Sequence, residues 1–546
     1  MLIQRFWHSR SGNFAMMFAI SFPAVLAGVG LALDVANLIA AKSNLQNALD
    51  SAVLAASRLQ DASSSRQDAF DGFFAANIAG NHYLENAEAE FAVDPGINSI
   101  RTTATAHADV SLNFAFIFGQ SARVTATASA YESTARLEVA LVLDNTGSME
   151  ATNMQALREA ATDLIATLEE EKTKNPDREI RAALVPFVTA VNIKGVGFKE
   201  EWIDKRKVVP EDDSSLNGVN FELEDGSRVG HWELFTRLKE KAGVNVEWKG
   251  CVEARPARYN ADYTPKMGVT PNLDDTQPNP LKPETMFVPY FAPDEPGKAQ
   301  QALNDGNKLN NSYLEDPYDA SDKKQNNADN LLAMQRSLTK YSKSSIRNVI
   351  GDNTFRTTGP NYACPTPIVP LTTDLTTLKT EIAKMIYWQG SGTNVAEGVA
   401  WGMRVLSPGE PYTQGHPFDA KETTKVVVVF TDGENNVFGA KDALINKSDY
   451  GSYGYVKDGY KRMGTDDRGI ALSNVNKLTL AACNQLKDND VRVFTVVLKA
   501  VTATNRDLYT ACATNPTDYY PTKDATELKA AFKKISYSIS QLYVTN

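Results

Sequence analysis

The stretch 137-LEVALVLDNTGSME-150 decides how the rest of the chain is read. Residues 139–143 form an apolar run of strand length that stops at Asp144. After it, Thr146 and Ser148 place hydroxyls at every second residue. Runs of this kind suit strands covered on both faces, as in a parallel sheet. Three more follow: 182-AALVPFV-188, 425-KVVVVF-430 and 491-VRVFTVVL-498. Apolar stripes at three- and four-residue spacing lie among them: Met154/Leu157/Ala161/Leu164/Leu168, Leu375/Leu378/Ile382/Met385 and Val475/Leu478/Ala482/Leu486. A last stripe, Leu528/Ala531/Phe532/Ile535/Ile539/Leu542, closes the chain. This alternation predicts an open, mostly parallel α/β sheet wrapped by helices. Ligands of such sheets bind beyond the carboxyl ends of the strands.

Two other segments carry matching chemistry. One is 390-GSGTN-394, a loop between two helical patterns, and the other is 431-TDGE-434, directly after the valine-rich strand. With 144-DNTGS-148 they make an all-oxygen set of carboxylates and hydroxyls, which hard cations such as Mg²⁺ prefer. Gly147, Gly392 and Gly433 supply tight turns. Taken singly, each segment reads as a helix cap or a turn; together, in this order on alternating strands, they read as a cation site. No water-activating base accompanies them, since the five histidines are scattered and no H-E-x-x-H occurs, so an enzyme is not expected.

These segments resemble the metal-ion-dependent adhesion site of von Willebrand factor A (VWA) domains, whose pattern is D-x-S-x-S, a loop Thr and a later Asp. Asp144, Thr146 and Ser148 match the first element, Thr393 the second and Asp432 the third, with Thr146 where serine is usual. The resemblance covers roughly 136–194 and 371–540. It implies a VWA-type doubly wound sheet holding Mg²⁺, or another divalent cation such as Mn²⁺ or Ca²⁺. Asp144, Ser148 and Thr393 would hold the ion directly or through water, with Thr146 and Asp432 beside it or one layer out. It also implies a protein partner whose Asp or Glu completes the coordination.

The N-terminus carries a second signal. Residues 14–33, FAMMFAISFPAVLAGVGLAL, are uncharged and long enough to cross a bilayer. Arg5 and Arg10 precede them and Asp34 follows, which places the N-terminus in the cytoplasm and the remainder outside. An apolar stripe, Leu38/Ala41/Leu45/Ala48/Ala52/Ala56, continues the helix. The segment 11–56 is similar to the TadE/TadG-like segments of Flp (Tad) pilus-assembly proteins: Gly near the start, Pro within the span, then Asp and an Ala/Leu/Gln helix. Prepilins carry Glu five residues after their cleavage-site Gly. Here Met17 stands at that distance from Gly12, so an uncleaved single-pass anchor in a bacterial inner membrane is expected, as in TadG-like members.

The expected organisation is an anchor and amphipathic helix over 1–60, a small strand-rich exported module over 61–135, and a VWA domain over 136–546. In the module, 101-RTTATAHADVSLNFAF-116 and 123-RVTATASAY-131 alternate with period two. The VWA domain holds an inserted subdomain at about 195–370, rich in Pro, Asp, Asn and Lys but carrying Trp202, Trp232, Trp248, Tyr290 and Phe291. Cys251, Cys364, Cys483 and Cys512 lack metal-ligand spacing and fit two disulfides in an oxidising compartment. Cys251 with Cys364 would fasten the insertion to its base, and Cys483 and Cys512 flank the last strand, although four cysteines allow three pairings.

A net charge of −10 argues against nucleic acid as a partner. The function these readings imply is a non-enzymatic, membrane-anchored component of a Flp/Tad pilus-assembly system that binds pilus-assembly or envelope components through the VWA site. The alternatives are an exported VWA adhesin or envelope sensor unrelated to pili, and a subunit of a metal-chelatase-like complex. The outward-facing anchor and the absence of a G-x-x-x-x-G-K-[ST] loop weigh against the chelatase.

Overall fold

A computed structural model describes residues 11–57, 63–81, 83–95, 99–112, 114, 120–133, 136–174, 178–241, 246–256, 275–296, 311–314, 328–342, 358–388, 392–420, 423–439, 445–499 and 502–541. Arg5, Arg10, Gly390, Ser391 and most of the stretch 292–330 lie outside these residues. The chain divides into two compact units, Met1–Ala135 and Arg136–Thr545.

The first unit begins with α1 (Ser11–Ser57), a continuous 47-residue helix with Pro23 inside it. Its span from Met17 is apolar and long enough to cross a membrane, with a mean hydropathy of 2.0 over its most apolar window. Beyond that span the helix changes character. Ala41, Leu45, Ala48, Leu49, Ala52, Val53 and Ala56 form one buried stripe at helical spacing. The stripe packs on Phe70 and Phe74 of α2 (Ser63–Ile78) and on a three-stranded antiparallel sheet, β1 (Glu85–Pro95), β2 (Ser99–Ser111) and β3 (Ser121–Ser133). Ala104, Ala106, Ala108 and Val110 of β2 face this core in strict alternation. The second half of α1 is therefore also part of the core of this first unit.

The second unit is built on an eight-stranded sheet. Its chain order runs β4 (Arg136–Asp144), α3 (Glu150–Lys174), β5 (Ile180–Phe187), β6 (Val191–Asn192), β7 (Val208–Val209), β8 (Arg228–Val229), α4 (His231–Lys241), β9 (Cys251–Val252), α5 (Ala328–Arg336), β10 (Val369–Thr372), α6 (Leu375–Lys384) and α7 (Val395–Leu406). It continues through β11 (Thr423–Thr431), α8 (Arg468–Asp488), β12 (Arg492–Leu498), α9 (Ala503–Cys512), β13 (Tyr519–Thr522) and α10 (Ala525–Gln541). Across the sheet the order is β13-β12-β11-β4-β5-β6-β9, with β10 antiparallel on β5. The five strands from β13 to β5 are parallel. α3, α6 and α10 pack together on one side, and α7, α8 and α9 on the other. The sheet is thus doubly wound and mostly parallel, which explains why β4 and β11 are buried along nearly their whole length.

From β4 the chain builds outward to β5 on one side, then returns through β11 to build β12 and β13 on the other. The carboxyl ends of β4 and β11 therefore meet at the topological switch point. α7 lies across them closely: a Cβ on Gly398 would meet Phe187 at 2.7 Å, and one on Gly402 would meet Val142 at 2.8 Å. Small residues one turn apart let this helix sit directly on the sheet and hold the loop before it in place. α6, α7, α8 and α9 are each capped by the residue before them, Asp374, Asn394, Asp467 and Thr502, accepting a main-chain N–H.

The 195–370 stretch joins the core of the sheet. Trp202, Phe221, Trp248, Phe287, Phe291 and Tyr341 belong to the same apolar cluster as Val142, Val185 and Trp401. Disulfides join Cys251 to Cys364 and Cys483 to Cys512. Under this stretch lies a buried polar group: Arg462 donates to Glu253 at 2.7 Å and to Asp458 at 2.9 Å, while His231 Nδ1 donates to the Pro289 carbonyl at 2.9 Å. Burial holds the His231 pKa below its ordinary 6.5 against the attraction of Glu253. A depressed histidine contributes no penalty above 6.5 and destabilises progressively as pH falls below it, because the unfolded chain takes up the proton first. The His231→Gln protein is expected to lose stability less steeply than the parent between pH 6.5 and 5. Parallel slopes in urea denaturation across that range would refute this assignment.

Candidate metal centre at the sheet switch point

Asp144 is the last residue of β4 and is fully buried. Its Oδ1 accepts the Thr146 N–H at 2.8 Å, and its Oδ2 accepts the Thr431 hydroxyl at 2.8 Å. The first bond folds the chain sharply off the strand and starts a short 3₁₀ turn, Gly147–Met149. That turn brings Ser148 to Asp432, whose Oδ1 accepts the serine hydroxyl at 3.0 Å. With its proton committed there, the Ser148 oxygen accepts from the Thr146 hydroxyl at 3.1 Å. A continuous row of oxygens thus runs from Thr146 through Ser148 to Asp432, beside Asp144.

Thr393 comes from the start of α7 rather than from a strand end. Its main chain exchanges two 2.9 Å hydrogen bonds with Asn436, the N–H of each residue donating to the carbonyl of the other. Gly392 makes this possible: its φ is +87°, and a Cβ there would lie 1.9 Å from the Asn436 carbonyl oxygen. Asn394 donates its N–H to the Val188 carbonyl and its amide to Ser452, and Asn435 accepts the Val395 N–H at 2.9 Å. Asn435 is itself held by Asn476 and Thr479. The result is one depression lined by Thr146, Gly147, Ser148, Gly392, Thr393, Asn436 and Phe438.

The electrostatics of the pair are unfavourable as it stands. Burial, followed by the nearby Asp432 charge, pushes the Asp144 carboxyl up to about 7, against the opposing hydrogen bonds from Thr146 and Thr431. Asp432 is also raised, mainly by burial, with the Ser148 hydrogen bond and the charge of Lys499 opposing. Among the described residues, no group of three or more His, Cys, Asp or Glu side chains is placed to hold a metal. What the site offers is two acids and three hydroxyls, a donor set that fits a hard cation keeping some of its waters.

Five residues singled out from the sequence are thus brought to one place. Glu434, in the same TDGE segment, is turned away to accept from Thr502 and Asn505 at the start of α9. Sequence reading missed Thr431, Asn435 and Asn436. The signal was present in 431-TDGENN-436, where a hydroxyl precedes the acid and two amides follow. It also missed Asn145, whose main chain ties β4 to Phe187 and Trp388 and whose buried amide has no partner among the described residues.

Residues 12–63 match the family described as putative Flp pilus-assembly TadE/G-like. No curated protein matches the chain. Among solved structures, the pilus adhesin SpaC from Lactobacillus rhamnosus GG is similar over 85% of this chain and 36% of that one, at 10% identity and a TM-score of 0.30. This chain thus corresponds to little more than a third of that adhesin's length. The vWF domain of the type V pili tip protein Mfa5 from Porphyromonas gingivalis is similar over 76% of this chain and 97% of that one, at 9% identity and a TM-score of 0.32. The pilus adhesin RrgA from Streptococcus pneumoniae covers 84% of this chain and 50% of its own, at 9% identity and a TM-score of 0.27.

Proposed function

We propose that this chain is a non-enzymatic, membrane-anchored component of a bacterial Flp/Tad-type pilus-assembly system. In this reading Asp144, Thr146, Ser148, Thr393 and Asp432 hold a divalent cation, Mg²⁺ or another such as Mn²⁺ or Ca²⁺, and a partner protein supplies an Asp or Glu to it. α1 fixes the protein in the inner membrane with its N-terminus in the cytoplasm. The observation that carries the reading is a buried acid, Asp144, and a half-buried one, Asp432, both raised above their ordinary range and linked through Thr146 and Ser148 at the switch point. Such a pair gains most from a positive charge placed between its members.

The residues divide the work. Asp144 and Asp432 supply the charge that favours a dication. Ser148, Thr146 and Thr393 supply neutral oxygens; with Asp432 one layer out behind the Ser148 hydroxyl, only the Asp144 charge would touch the ion, which would leave it attractive to one more acid. The hydrogen bonds from Thr431 and the Thr146 N–H fix the Asp144 carboxylate so that it cannot swing away. When bound, the cation would supply a Lewis-acidic position facing the depression, where a carboxylate can coordinate.

The test uses the full-length protein in detergent. Magnesium at about a hundred times its dissociation constant should raise stability by about 2.7 kcal/mol, read as a shift in melting temperature. An unchanged melting curve with Mg²⁺, Mn²⁺ and Ca²⁺ in turn would sink the metal reading. Crosslinking to envelope components with Mg²⁺ and with EDTA should then give adducts only in the former, and equal adducts in both would remove the cation from recognition.

A further inference from the structure

The packing face of the exported unit starts inside the apolar span. On α1, nearly every described position from Met17 to Ala36 is exposed, but Gly30 and Asp34 are buried. They continue, one turn at a time, into the core stripe that begins at Ala41. Gly30 sits about 6 Å along the helix before Asp34, the first charge after the apolar run. What covers it is Phe114, at the end of the β2–β3 hairpin: a Cβ on Gly30 would meet the Phe114 ring at 2.5 Å. The Phe114 N–H donates to Asp34 Oδ2 at 2.8 Å.

The hairpin descends along α1 toward the N-terminus. Gln46 donates to the Thr127 carbonyl at 2.8 Å, which sets one level of the register. From Gln46 back to Asp34 is about 18 Å of helix, and from Thr127 back to Ser121 is about 20 Å of strand. The strand ends at the level of Asp34, and Phe114 lies beyond it. Polar groups ring the hairpin just above: Arg123 pairs with Asp109 at 3.3 Å, and Ser111 donates to Glu85 at 2.8 Å. Tyr83, exposed, precedes Glu85 at this same end. Phe114, then Tyr83 and then the charged belt follow one another along the axis of α1, the order in which a bilayer changes from hydrocarbon to water.

We propose that Phe114 is a second membrane contact, lodged in the bilayer beside Gly30 of α1. The occupant of this surface is lipid, because the surface is continuous with the apolar span of the helix. The hairpin also covers Asp34, a carboxylate that would otherwise face the edge of the hydrocarbon at a cost of several kcal/mol. The exported unit would then stand directly on the membrane, fixed at two points, instead of swinging on a single helix. This inference rests on the reading of α1 as the anchor.

The test places one nitroxide at a time on the full-length protein in phosphatidylcholine–phosphatidylglycerol nanodiscs. All four native cysteines are paired, so a single added thiol labels cleanly. Labels at Val25→Cys and Phe114→Cys should collide with oxygen more than with a water-soluble nickel chelate, the Phe114 label lying shallower. Asn47→Cys should show the reverse. A Phe114 label that behaves like Asn47 while Val25 remains in lipid overturns the proposal and spares the anchor. A Val25 label in water overturns the anchor reading and the proposal with it. A Gly30→Leu background gives the second readout: it should push the Phe114 label toward water without moving Val25, and an unmoved Phe114 label would show that Gly30 does not seat the hairpin.

Discussion

Asp144→Asn is expected to make the metal-free protein more stable while abolishing its response to magnesium. The carboxyl is raised from 3.8 to about 7 by burial and by Asp432, so its ionisation opposes folding. For an acid raised in this way, the favourable contribution is complete below the unfolded value and is lost as pH rises through the folded one. In EDTA, parent and variant should therefore match near pH 4 and diverge up to pH 7, the variant leading by an amount on the order of a few kcal/mol. The amide keeps the local geometry: its oxygen can accept the Thr146 N–H, and its NH₂ can donate to the Thr431 hydroxyl. Guanidinium denaturation with and without Mg²⁺ reads both arms. A variant less stable than the parent in EDTA at pH 7 would mean that Asp144 is structural, and a retained Mg²⁺ shift would place the ion elsewhere. A site that costs stability when empty is expected of a function selected against the interests of the fold.

Part of the candidate site was legible in the sequence. Asp144, Thr146, Ser148, Thr393 and Asp432 stand out as a set: singly each reads as a cap or a turn, but acids and hydroxyls recur in an order that resembles a known site. Thr431, Asn435 and Asn436 fall outside that order, and polar residues after a strand are ordinary turn formers. Only the tertiary arrangement shows Thr431 bonded to Asp144, and Asn436 paired with Thr393 across a glycine. The four long strands are readable as continuous apolar runs, and the amphipathic helices and the alternation of β2 and β3 from period. α7 was not among the predicted stripes, because a helix buried all round, as Val395–Leu406 is, has no polar face to give it a period. β10 and β13, four residues each, are too short to carry a period. α2 has no counterpart among the predicted stripes, and its Phe70 and Phe74 gain meaning only once α1 lies against them. Residues 195–370 read as an inserted subdomain because of their composition. That their described aromatics share the sheet's apolar core is something composition cannot indicate.

Removal of the Cys251–Cys364 disulfide should produce the largest loss of stability of any pair of substitutions considered. The bond closes a loop of 113 residues, whereas Cys483–Cys512 closes 29. On loop-closure entropy alone these correspond to about 5 and about 3.5 kcal/mol respectively. The long loop lies within the 195–370 stretch, and its closing bond stands where that stretch meets the sheet. Cys251 belongs to β9, which pairs with β6 through Asn192, and Asn192 in turn donates to the Pro365 carbonyl beside Cys364. Cleaving this bond therefore frees two edges of one junction at once. The shorter bond joins α8 to α9 within a face of the sheet that is already well packed, so its loss leaves the surrounding contacts in place. Serine replacements of each pair, compared in urea at one temperature, should show the larger drop and the larger m-value change for the first pair. Equal drops would mean that the 195–370 stretch is held by its aromatic core alone and that the disulfide adds nothing beyond local constraint. The order of the two effects matters for the proposed cation site as well. Asn394, the neighbour of Thr393, meets Val188 and Ser452; Val188 packs in one cluster with Cys251 and Cys364, and the Ser452 carbonyl accepts the Ala254 N–H. A protein lacking the first bond should therefore bind Mg²⁺ more weakly even where it remains folded, and one lacking the second should bind it as the parent does.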